Sequence, residues 1–165
     1  MRLNIPNHKF NDFSPDLEKK LNLMAEHVLS DQKEDILNIN LKFVSSLEMK
    51  KLNKDFRKKS LDTNVLSFPA SKEIQEISGE LGDIAMSIPY IKTESQNLNR
   101  DVEDHMMHLL AHGILHLLGF DHKQDKDACI MESQEIKYLK NFKIANPYKL
   151  CPTKILIKIN LLRVF

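Results

Sequence analysis

Four of the chain's seven histidines crowd between His105 and His116, and His122 follows soon after. At about 100° per residue on a helix, His105, His108, His112 and His116 fall on one stripe about 80° wide. The rest of that segment is apolar. One histidine on an apolar helix is usually a core residue with a satisfied ring. Four on one stripe are harder to place that way, because each buried ring nitrogen needs a partner. His112 and His116 stand one turn apart, the helical spacing at which two imidazoles reach one metal ion. Gly119 then lets the chain reverse and bring His122 back; had the helix run on, His122 would point about 80° away from His112. Pairing His108 with His112 is weaker, since His108 lies a further turn, about 5.4 Å, from that reversal. His105 and His108, near the polar start, are expected at the surface or behind the ligands.

Three neutral imidazoles leave a fourth tetrahedral position for water or substrate, which is the catalytic arrangement of zinc. Such an ion brings a bound water's pKa toward ~7 and polarises a phosphoryl or carbonyl oxygen. Peptidases with an H-E-x-x-H helix carry a glutamate base after the first histidine. Here that residue is Gly113, which counts against peptide hydrolysis. Asp121 has two readings: an acceptor that orients a ligand imidazole, or an acid that shapes the turn beside Gly119.

These side chains need a helix, a stop and a scaffold. Residues 100–118 read as a helix with Asn99 as N-cap, acids Asp101, Glu103 and Asp104 in its first turn, and Gly119 after it. Its apolar residues point nearly all round from Met106 to Leu118, so it is expected inside a domain. Residues 15–30 read as a helix with Ser14 as N-cap and Pro15 in the first turn. The opening LNIP, Ile36–Val44, Asn64–Pro69 and Leu81–Ile88 read as strands. Ser45 or Ser46 caps a short helix to about Phe56, with Leu47 and Leu52 inward. Residues 71–80 read as a loop or hairpin connection, and Pro89 opens a short helix to about Asn97. Residues 125–143 read as a further helix with Ile130, Met131, Ile136 and Leu139 as core.

Within 165 residues, 42% are hydrophobic, enough for a core and against wholesale disorder. Lys plus Arg is 24 against 23 acids, net +1, which excludes a histone-like charge but leaves room for a local patch. One such patch is 50–59, KKLNKDFRKK, with six bases and one acid. Beyond Glu135 there is no acid and seven bases, and the end reads as a terminal appendage. No apolar run reaches the ~18 residues of a membrane span. The start has no apolar signal segment, and Cys129 and Cys151 have no CxxC spacing. Secretion, a disulfide framework and a zinc knuckle are therefore not expected, and a reducing cytoplasm is.

The segment His112-Gly113-Ile114-Leu115-His116-Leu117-Leu118-Gly119-Phe120-Asp121-His122 resembles the signature H-G-x-L-H-L-x-G-x-D-H of the YbeY family of bacterial metal-dependent endoribonucleases. Two further blocks are similar to that family, in family order: Leu52-Asn53, Phe56-Arg57 and Thr63 to Pro69, then Gly79 to Ile84. The resemblance spans roughly residues 40–140. It implies an α+β, zincin-like fold, a small mixed sheet packed with helices around a central metal-binding helix. It implies one zinc ion on His112, His116 and His122, and a functional Arg57 near it. The domain is expected over residues 1–145, with a basic extension of open role over 146–165. Asp62 departs from the family, which often has proline there.

The leading expectation is a single-strand-specific, metal-dependent endoribonuclease acting in ribosomal RNA maturation and ribosome quality control. Arg57 and His112 are its expected catalytic residues. A guanidinium fork suits a phosphate and the charge that develops during cleavage. Lys50, Lys51, Lys54, Arg57, Lys58 and Lys59 would follow the RNA backbone. Attack by water and attack by a substrate 2′-hydroxyl both remain open. RNA, above all ribosomal RNA, is the expected partner, with ribosomal proteins or assembly factors beside it and no membrane. The alternatives are a metal-dependent hydrolase of amide or ester bonds, and a ribosome assembly factor whose metal is structural. A fourth protein ligand would mark the latter.

Overall fold

Alternating apolar residues in Asn38–Val44 bury Ile39, Leu41 and Val44 and make this segment strand β2 of a mixed sheet. Its companions are β1 (Leu3–Asn4), β3 (Val65–Pro69) and β4 (Glu80–Ser87), in the order β1-β2-β4-β3. β1 and β4 both lie parallel to β2, and β3 runs antiparallel to β4. The structure, a computed structural model, describes residues 3–6, 13–34 and 37–148. Ile36, Cys151 and most of the expected C-terminal extension lie outside them.

Contacts divide the chain into residues 1–119 and 120–165. The first unit holds the sheet and helices α1 (Leu17–Asp31), α2 (Ser46–Arg57), α3 (Lys72–Ser78), α4 (Ile88–Asn97) and α5 (Val102–Leu117). α5 packs on α1, α4, β3 and β4. Register pairs Leu41 with Ile84 and Phe43 with Met86, so these share a sheet face, and Ile84 lies beside Gly113 of α5. The other face carries Val44, Leu66 and Ala85 under Met49 of α2, with Leu52 and Phe68 against them. The mixed α+β architecture expected for the chain is present, with α5 buried from His105 to Ala111 and again at Gly113, Ile114, Leu115 and Leu117. Each fully buried Leu, Ile or Met there contributes about 1.5–3 kcal/mol, so packing rather than a metal holds this helix in place. In the second unit, α6 (Asp125–Asn141) buries Met131, Tyr138 and Leu139. It also buries Glu135, whose carboxylate accepts the Tyr148 hydroxyl.

Several local expectations are corrected. Residues 72–78 form α3 rather than a loop; Ser71 caps it by accepting from the Ile74 amide, and Gly79 at φ +69 ends it. α3 buries nothing, and its two apolar residues, Ile74 and Ile77, are exposed. Leu47 is exposed and Met49 takes the inward position on α2, while Leu52 is half-buried. Ile130 faces solvent and Tyr138 fills core instead.

Candidate metal centre

α5 begins at Asp101, whose Oδ1 accepts from the amides of Glu103 and Asp104 at 2.9 and 3.0 Å. These are two donors that a helix start leaves without an internal partner. Asn99, expected as the cap, instead has a left-handed backbone, φ 51, in the turn before it. Ser14 does not cap α1 either. Its amide and hydroxyl donate to the Glu103 carboxylate at 2.5 and 2.7 Å, and Lys20 reaches the same group at 3.3 Å. Burial alone would raise the Glu103 pKa, but these donors together hold it below the ordinary 4.5. The start of α5 is thereby tied to the start of α1.

At its other end α5 stops at Leu118, and Gly119 turns at φ +87 with its amide on the His116 carbonyl at 3.0 Å. Among the described residues, apart from its chain neighbours, no atom lies within 4 Å of where a Gly119 Cβ would stand, so the turn needs glycine for its backbone angle. Asp121 then accepts the His122 amide at 2.7 Å and pairs with Lys123 at 2.8 Å. The first of these bonds is local to the turn after Gly119.

The Nε2 atoms of His112 and His116 face each other at 3.1 Å. His112, His116 and His122 each offer a nitrogen within 4.8 Å of the others. A tetrahedral zinc with bonds of about 2.1 Å holds its nitrogens about 3.4 Å apart, so the helical pair already has the required bite. Among the described residues this is the one group of three or more His, Cys, Asp or Glu side chains that could hold a metal ion. His112 and His116 are half-buried and His122 is exposed.

Gly113 stands where the glutamate base of a peptidase helix would be. A Cβ there would stand 3.1 Å from Ile84 Cδ1 and 3.1 Å from Ser67 Oγ. Ser67 in turn donates to the Gly113 carbonyl at 3.1 Å. The helix lies so close to β3 and β4 at this point that even a Cβ would be in tight contact with both side chains.

His105 and His108 are not surface residues: both are buried. Their ring centroids are 6.0 Å apart, and His108 lies 6.4 Å from His112. His105 pairs with Glu94 at 2.7 Å. Burial lowers its pKa below 6.5, against the opposite pull of that carboxylate. Nothing in the local pattern marks Glu94, because its partners come from other elements.

Arg57 is the last residue of α2 and is exposed, as are Lys50, Lys51, Lys54, Lys58 and Lys59. Lys58 ends the helix in the left-handed region at φ 59. Phe56, 66% exposed, meets Phe68 edge-on at 4.7 Å, the one aromatic ring within the basic run. Asp62 accepts the Thr63 amide at 2.9 Å, closing a local turn where the family often has proline. Among the described residues, no helix is long and apolar enough to cross a membrane.

Comparison with known proteins bears on this geometry. The model of the family described as Endoribonuclease YbeY matches residues 4–143. Proteins named Endoribonuclease YbeY from Francisella tularensis subsp. holarctica and subsp. novicida are each 40% identical over 114 residues, covering 67% of this chain and 70% of theirs. The solution structure of TM1509 from Thermotoga maritima superposes with a TM-score of 0.59 at 26% identity, covering 91% of this chain and 97% of that one.

Proposed function

Because the chain belongs to the Endoribonuclease YbeY family, we propose that it is a zinc-dependent endoribonuclease that cuts single-stranded RNA in ribosomal RNA maturation and ribosome quality control. On this reading it works in the cytoplasm, beside ribosomal proteins or assembly factors. The observation that carries the site is the convergence of one nitrogen each from His112, His116 and His122 within 4.8 Å. Imidazoles are borderline donors that suit zinc. A zinc ion there supplies a Lewis acid for a phosphoryl oxygen.

The chain's own residues do the rest. His112 and His116 present Nε2 atoms from one rigid helix face, and Gly119 brings His122 to complete the set. Arg57 holds the scissile phosphate by its planar fork and neutralises charge as the phosphorus is attacked. Lys50, Lys51, Lys54, Lys58 and Lys59 draw in the RNA backbone, with an attraction that weakens as salt rises. Without a glutamate after His112 the arrangement does not favour amide or ester hydrolysis. Three protein donors among the described residues, rather than four, favour a catalytic over a structural ion.

The test is metal analysis of untagged protein together with the end chemistry of RNA it cleaves. About one zinc per chain is expected; His116→Ala should lose it and His105→Ala should keep it. Fragments ending in 2′,3′-cyclic phosphate would identify the 2′-hydroxyl as nucleophile, and plain hydrolytic ends would identify water. Zinc-loaded protein that leaves single-stranded RNA intact would refute the activity.

A further inference from the structure

Away from the three candidate ligands, two polar side chains converge on one carboxylate oxygen. Glu94 Oε2 accepts from Asn64 Nδ2 at 2.9 Å and from His105 Nε2 at 2.7 Å. Asn64 immediately precedes β3, Glu94 lies on α4 and His105 on α5. The His105 side chain is 3% exposed and that of Glu94 25%. With Nε2–H given to the carboxylate, the buried Nδ1 keeps its lone pair and has no hydrogen-bond partner among the described residues. The ring is therefore spending its one donor on Glu94, and a charged acceptor strengthens both bonds.

Asn64 is well placed to pass this constraint on. Its own Oδ1 accepts the Val65 amide at 2.7 Å and its carbonyl accepts the Ser87 amide at 3.0 Å, so side chain and backbone are both tied. The segment from Arg57 to Asn64 is held at its other end by Asn53, itself 4% exposed. Asn53 Nδ2 donates to the Leu61 carbonyl at 2.8 Å, and the Lys59 amide donates to the Asn53 carbonyl at 3.2 Å. His105 stands two turns before His112 on the same rod, about 10.5 Å along the axis. Further on, Ser67 of β3 bonds the Gly113 carbonyl of that rod. Strand and helix are thus registered at two points, and the Glu94 bridge is the one nearer Arg57 in sequence.

We propose that Glu94, by bridging Asn64 and His105, is a positioning residue that registers the Arg57–Asn64 segment against α5, so that the guanidinium and the metal ligands act on the same phosphate. This rests on the role of Arg57 proposed above. Glu94 touches no reacting atom; it acts through Arg57.

The experiment uses the full zinc-loaded chain and a single-stranded RNA oligonucleotide. Asn64→Ala removes the loop's half of the bridge and leaves the His105–Glu94 pair. Zinc content and KM should stay near parental. A displacement of about 1 Å at a reacting group costs up to ~10²-fold, so kcat should fall by about 10- to 100-fold. Amide hydrogen exchange across residues 58–64 should quicken. Glu94→Ala should reproduce the kcat loss, and Glu94→Gln, which keeps an oxygen acceptor, should recover most of it. The deciding measurement repeats Asn64→Ala in an Arg57→Lys background. Residues acting through one another are non-additive, so there the second change should cost kcat little. The proposal is overturned if Asn64→Ala cleaves at the parental rate, or if it costs the same factor in both backgrounds, which is what a merely structural bridge would do. Inactivity of the parental protein would instead refute the endoribonuclease reading itself.

Discussion

Gly82 lies between β2 and β3 and beside Leu117 of α5, and its replacement by alanine tests the packing argument. It pairs with Ile39 on one side and Pro69 on the other. An added Cβ would stand 2.4 Å from the Phe68 carbonyl oxygen, 3.0 Å from Leu117 Cδ2 and 3.1 Å from the Ala70 nitrogen. Two of these are backbone atoms, so the clash cannot be relieved by turning a side chain. The φ of +152 adds strain for any residue with a Cβ. Strain of about 1–3 kcal/mol and overpacking of about 1–3 kcal/mol oppose a gain of about 0.4–1 kcal/mol from a stiffer unfolded chain. The net loss is about 2–5 kcal/mol against a total of about 5–15 kcal/mol for a domain. Tm should fall by roughly 5–15 °C, and the urea midpoint should fall with m unchanged. Gly119→Ala is the control. Its φ is also positive but its Cβ meets nothing, so it should lose only about 1–2 kcal/mol. Equal losses at the two positions would refute the steric reasoning at Gly82.

Gly113→Ala should lose about 1–3 kcal/mol by urea titration, since its Cβ would crowd Ile84 Cδ1 and Ser67 Oγ at 3.1 Å; a variant as stable as the parent would show that these neighbours give way. Arg57→Lys keeps the charge but loses the fork, so kcat should drop ~10²–10³-fold with RNA affinity and zinc content near parental. Lys58→Arg and Lys59→Arg should be close to silent in the same assay. Glu103→Gln should cost about 1–3 kcal/mol at pH 7 by loosening Ser14 and Lys20. Because the folded chain holds the Glu103 pKa below 4.5, that contribution is full above this pH and fades as the pH falls through the folded value. Parental and Glu103→Gln denaturation midpoints should therefore converge on acidification, and a constant gap would exclude ionisation as the cause.

Short-range patterns carried the centre of this molecule. The 3.6-residue period of an apolar helix, the four-residue step from His112 to His116 and a glycine that permits a left-handed turn are all local. They placed α5, its end at Gly119 and the three candidate ligands without knowledge of any neighbour. Partnerships between distant residues were illegible for the opposite reason. Ser14 has the chemistry of a helix cap and adopts a different role only because Glu103, far along the chain, arrives beside it. The sequence left His105 either at the surface or behind the ligands, because the carboxylate that satisfies it belongs to α4. The inward face of α2 was misjudged because the period tells which residues share a face, while the sheet beneath decides which face is covered, and it chose Met49 over Leu47. Gly113 is the sharpest case. The sequence showed that the glutamate base was missing; only the packed structure showed how near Ile84 and Ser67 come, at 3.1 Å from where a Cβ would stand. Dihedral preferences and periodicity are written residue by residue, whereas excluded volume and buried hydrogen bonds arise only when separate elements are brought into contact.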